Sequence, residues 1–107
     1  MEASAVSDKY VLNDRHEAIP CDDLEIWARM FGDAEARRVG ADDVGPYRIS
    51  TVFLGLDHNF GEGPPLLFET MVFSPGDDDG DMERCSTWAE AEVMHARFVE
   101  RYRSKAS

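Results

Sequence analysis

The chain has 107 residues, room for one domain around one hydrophobic core. Its 43% hydrophobic content excludes wholesale disorder. The 22 acidic against 11 basic residues, a net −11, argue against direct nucleic-acid or membrane contact and make any partner reached by charge a basic one.

Residues 1–9 are small and polar and read as a disordered tail, leaving 10–107 as a single domain. They lack the apolar core of a secretory signal. No apolar run nears the roughly 20 residues of a bilayer span. Cys21 and Cys85 stand in unrelated contexts, which suits a reducing compartment. A cytoplasmic protein is expected.

Tyr10–Leu12 and Glu17–Ile19 flank the turn-prone Asn13-Asp14-Arg15-His16 and predict a short hairpin. Asp22 with Glu25 resembles a capping box, and Leu24, Trp27, Met30 and Phe31 recur at helical spacing. That pattern predicts a helix that stops at Gly32 or runs on to Arg37, the longer version being favoured by Ala34 in phase with Trp27 and Phe31, with Trp27 as a core anchor. Arg38–Gly40 reads as a short strand and Ala41–Pro46 as a turn. Two long strands follow, Tyr47–His58 and Leu66–Phe73, around a Gly/Pro loop. Asp77–Asp79 lie in an acidic turn, and Met82–Cys85 read as a further pairing segment.

Thr87 and Glu90 make a capping box ahead of Trp88, Ala91, His95, Phe98 and Tyr102, one stripe of a helix of about four turns. The expected fold is α+β: an antiparallel sheet of four to five strands with a long central hairpin and two amphipathic helices.

Chemistry is sparsely marked. Asp57, His58 and Glu69 sit near the mouth of the predicted hairpin and could serve acid–base work or hold a metal. Asp57 and His58 at a strand end also commonly bond loop backbone. His95 could meet His58, but no metal-ligand spacing accompanies either. Asp77–Glu83 fails as a calcium loop, because Met82 stands where the sharp turn needs glycine. Gly61-Glu62-Gly63 precedes a strand and is not a phosphate loop. No metal or cofactor is expected.

Strand alternation sets Val52, Leu54, Leu56 and His58 on one face of the hairpin and Thr51, Phe53, Gly55 and Asp57 on the other. Keeping the Glu69 carboxylate out of the core turns Phe53, Asp57, Glu69, Met71 and Phe73 outward. These five form the expected partner or dimer surface, three large apolar groups among carboxylates.

Ser50–His58 followed by Gly63–Phe73, STVFLGLDH and GPPLLFETMVF, resembles a family of small proteins encoded by tailed phages and prophages. Asp23–Trp27, Cys85–Trp88 and His95 extend the likeness. No activity is attached to that family, so the resemblance implies no catalytic residue. It implies an accessory protein in the cytoplasm of a bacterial host. Combined with the charge, it favours a protein-binding module over an enzyme. Such a module could inhibit a host nucleic-acid-handling or defence protein, in the anti-CRISPR or DNA-mimic manner, through that protein's basic surface. The alternatives are a small enzyme or metal site using Asp57, His58 and Glu69, and a structural homodimer.

Overall fold

The computed structural model describes residues 8–59, 61–75 and 81–106. A two-stranded hairpin, β1 (Tyr10–Leu12) and β2 (Ala18–Pro20), is followed by helices α1 (Leu24–Phe31) and α2 (Ala34–Arg37). Then come β3 (Arg38–Val44), β4 (Tyr47–Phe53), β5 (Phe68–Phe73), β6 (Met82–Cys85) and α3 (Trp88–Ala106). Strands β3 to β6 form one antiparallel sheet in chain order, so the fold is α+β as expected. Asp77–Asp79 fall outside the described residues.

Helix α3 begins where the capping box places it. Glu90 N–H donates to Thr87 Oγ1 at 3.1 Å, and Glu90 Oε1 accepts from the Ser86 and Thr87 amides. Its stripe packs across the sheet, with Met94, Phe98 and Tyr102 over Ile49 and Val72. Ala91 completes a second cluster with Phe53, Leu67 and Phe68, closed at its end by Tyr10, Leu12, Ala18 and Met30. Trp88 is only half-buried; its indole stacks on His16, ring centroids 3.8 Å apart. His16 is thus no free loop side chain, although it sits in a turn at φ 62°.

The central hairpin is shorter than its composition suggests. Gly55 takes φ 81°, a left-handed conformation that ends the strand alternation after Phe53. Leu54 and His58 still bond the facing chain, through Leu67 and Leu66 carbonyls, but outside regular pairing. In the other direction β3 is longer than expected. It pairs with β4 as far as Val44, opposite Tyr47, with a register shift between Arg38 and Gly40. Asp8 and Lys9, assigned to the tail, join the body: Lys9 bridges Leu56, and Asp57 N–H donates to the Asp8 carbonyl.

The first helical segment departs most from expectation. Its cap is Asp23, one residue later than Asp22, and accepts from the Glu25 and Ile26 amides. It stops at Gly32, because Asp33 turns its carboxylate to the Ala36 amide and caps α2 separately. No residue of α1 is fully buried. Trp27 anchors α1 by donating its indole N–H to the Gly55 carbonyl at 2.9 Å, and does so half-exposed.

Polar contacts hold β6 to α3. Tyr102 donates to Asp81 Oδ2 at 2.5 Å, and Arg97 meets both oxygens of Glu83 at 3.1 and 3.2 Å. The Tyr102 hydrogen bond holds the Asp81 carboxyl below its ordinary value, as the Arg97 hydrogen bond does for Glu83. Burial pushes the Tyr102 phenol up to about 12 and the Cys85 thiol up to about 11.

A depressed carboxylate contributes stability above its unfolded value and loses it as pH falls through the folded one. A raised phenol or thiol contributes below its unfolded value and loses it as pH rises through the folded one. The melting temperature should therefore stay level from about pH 5 to about pH 9 and fall on either side. Asp81→Asn should shrink the acid-side slope and, because Asp81 also helps to raise the Tyr102 phenol, part of the alkaline-side slope as well. A melting temperature that climbs steadily below pH 5 contradicts this account of the clamp.

Candidate functional site

Helix α3 is the only helix with extensive contact to the sheet among the described residues, and it covers one face. The register of β4 on β5 fixes what the other face carries. Ile49 opposes Val72, Thr51 opposes Thr70 and Phe53 opposes Phe68, all buried beneath the helix. The alternate pairs, Arg48 with Phe73, Ser50 with Met71 and Val52 with Glu69, therefore line the uncovered face.

Of the five residues expected on an outer surface, Glu69, Met71 and Phe73 do lie there. Phe53 does not: it is fully buried with Ile49, because β4 ends at Phe53 and its own alternation sets Tyr47, Ile49 and Phe53 against Arg48 and Ser50. The expected phase leans on Leu54 and Leu56, which lie beyond the strand, and Thr51 shares the inward phase, where its hydroxyl finds partners. Asp57 is also absent from that face. It lies in the loop, where Oδ1 accepts from the Asn59 amide at 2.8 Å and the Leu66 amide at 3.0 Å. On the face itself, Glu69 Oε2 pairs with the Arg84 guanidinium at 3.1 Å, and Arg48 reaches Asp43 at 3.2 Å.

Asp57, His58 and Glu69 therefore have separate duties. His58 Nδ1 bonds the Leu56 carbonyl at 3.0 Å, while Asp57 closes the loop and Glu69 serves the sheet. His95 does not meet His58. Among the described residues no three His, Cys, Asp or Glu side chains gather as metal ligands.

His95, on the apolar stripe of α3, belongs to a hydrogen-bonded line whose other members lie far from it along the chain. Its Nε2 lies 2.7 Å from Asp42 Oδ2 and its Nδ1 2.7 Å from Thr51 Oγ1, which is 2.5 Å from Thr70 Oγ1. Gly40 makes room for the ring: a Cβ there would meet the imidazole at 2.9 Å. Carboxylate, imidazole and hydroxyl stand in the order of a nucleophilic triad. However, Thr51 and Thr70 are both fully buried, so no substrate can reach the hydroxyl. The line instead satisfies polar groups inside the core and pins α3 to β3 and β4.

The concave surfaces are modest. A groove of about 720 Å³ runs between the β1–β2 hairpin, Pro64-Pro65 and the start of α3, with Trp88 and Tyr10 in its wall. At its end the Ser86 and Thr87 amides bond Glu90 Oε1 and the Glu90 amide bonds Thr87 Oγ1, and the Glu90 carboxylate opposes an anion there.

The largest unexplained exposure lies on α1. Leu24, Ile26 and Phe31 are 63%, 50% and 41% exposed. Leu24, Ala28 and Phe31 recur at i, i+4 and i+7 and so form one strip. Phe31 is set rigidly, stacked on Trp27 with centroids 4.9 Å apart and under the Arg37 guanidinium at 4.4 Å. Carboxylates bracket the strip, with Asp22, Asp23 and Glu25 at one end and Asp33 and Glu35 at the other. From residue 14 to residue 38 seven carboxylates stand against Arg15, Arg29, Arg37 and Arg38, a net −3.

The fold and its surfaces thus describe a small α+β protein with one covered and one bare sheet face. Comparison with protein-family models, curated proteins and solved structures finds no match. Among the described residues no helix is long and apolar enough to cross a membrane.

Proposed function

We propose that this chain is a protein-binding module whose α1 surface takes a basic segment with an apolar face from another protein. The observation that carries the reading is an amphipathic helix with no buried residue, its apolar strip exposed between two groups of carboxylates. An isolated eight-residue helix is unstable in water. This one is held by two caps, the Trp27 hydrogen bond and Met30, and those tethers leave Leu24 and Phe31 outside. Exposed apolar area with a polar rim marks an interaction site, and this rim is mostly acidic, with Arg37 over Phe31 as its cationic edge. The rim selects lysine- or arginine-rich partners and speeds their encounter. An inhibitor that occupies the basic groove of a nucleic-acid-handling or defence protein fits this surface. The likeness of the hairpin to phage proteins supplies the setting, a bacterial cytoplasm.

The test uses a labelled amphipathic helical peptide with a leucine face and a lysine face. It should bind with a Kd on the order of 10 µM at low salt and at least tenfold more weakly near 0.5 M NaCl. Leu24→Ser with Phe31→Ser should abolish binding without unfolding the protein, since both side chains are exposed. Equal binding by that double variant would show that charge alone attracts the peptide, and the reading would fail.

A further inference from the structure

The bare sheet face differs from α1 in one respect that decides its occupant, its charge. Arg38, Arg48 and Arg84 stand on it against Asp43 and Glu69, a net +1 on a chain of −11. Two of those arginines are already paired within the face, Arg84 with Glu69 and Arg48 with Asp43, and the third, Arg38, meets Glu35 at 3.7 Å from outside the sheet, so the face is close to neutral. Between them lie Val52, Met71, Phe73 and Met82, with Phe73 52% and Met82 46% exposed.

We infer that this face is where two copies of the chain meet, sheet against sheet. Copies carrying −11 each repel wherever their acidic surfaces approach. On the sheet face the repulsion is locally cancelled while apolar area remains to be buried, so self-contact is least opposed there. The inference stands apart from the α1 reading, because it uses neither α1 nor a basic partner.

Edge pairing is the competing geometry, and the sequence of β6 argues against it. Two antiparallel copies of an edge strand, related by a two-fold axis normal to the sheet, oppose residues that point to the same face. For Met82–Cys85 the central registers set Glu83 against Glu83 or Arg84 against Arg84. Like charges directly opposed are destabilising. At the other edge, β3 carries Asp42, Asp43 and a register shift, which blunt it against pairing.

The area sets the expected strength. Four strands spaced about 4.8 Å apart, each about six residues long, give a projected face of roughly 400 Å² per copy. About 800 Å² in total lies at the weak end of specific interfaces, so the dimer should form and dissociate with concentration, with a Kd on the order of 10–100 µM.

Sedimentation equilibrium of the purified chain from about 5 to 500 µM tests this, with the range set by that affinity. Dimer should appear across the series, and rising salt should tighten it severalfold by screening the net charge. Phe73→Asp, and separately Met82→Asp, should raise Kd at least tenfold while the melting temperature holds. Leu24→Asp should leave Kd unchanged. A chain monomeric at 500 µM overturns the inference. So does a dimer that survives Phe73→Asp, a dimer lost in Leu24→Asp, or one that weakens as salt rises.

Discussion

Phe68→Ala should cost about 3–5 kcal/mol, a large share of the roughly 5–15 kcal/mol that holds a domain of this kind. Phe68 is fully buried, 5.3 Å from the Phe53 ring and 6.2 Å from Trp88 by ring centroids. It joins β5 to α3 and to the β1–β2 hairpin, so its loss opens a cavity that three elements would have to close together. Chemical denaturation reads the effect directly. A loss below 1 kcal/mol would mean that the cluster repacks freely and that the core is far looser than the burial implies. Trp88→Ala should cost less, because its ring is half-exposed and stacks on a surface histidine.

The second large effect concerns His95. His95→Leu should destabilise by about 1–3 kcal/mol, because the fully buried Thr51 hydroxyl loses one partner. The same His95→Leu combined with Thr51→Val and Thr70→Val should recover most of that loss. Three apolar side chains of similar shape leave no buried hydroxyl unsatisfied. The cost of the line therefore lies in breaking it, and the three sites should be strongly non-additive. Additive losses across single and triple variants would show that each residue acts alone and that the line is not a unit.

Much of the fold was legible because local signals agreed with tertiary ones. The Thr87–Glu90 box, the stripe through Phe98 and Tyr102, and the β-branched run after Tyr47 each pointed to the element they form. The misreadings have separate causes. Thr51 and Val52 exchange their expected faces because Leu54 and Leu56, which set the expected phase, lie past the end of β4, where Gly55 has broken the alternation. Phe53 turns inward with Ile49 and leaves the surface assigned to it. On α1 apolar residues cover most of the helix circumference, so the pattern announced burial while too little sheet lay nearby to supply it. Met71 and Phe73 were legible as outward because they share a strand face with Glu69, which could not face the core without a partner.

The strand order has a consequence for how the molecule is made. The sheet is a meander, each strand pairing with its neighbour in sequence, so hairpins can form in succession as the chain leaves the ribosome. Helix α3 comes after every strand it covers. Until it docks, Ile49, Thr51, Phe68 and Val72 have no lid, and the nascent sheet shows bare surface on both sides. Synthesis of the last helix thus completes the core in a single late step. The interval before that step is when a chaperone has most to hold, and when a pause in translation does most harm.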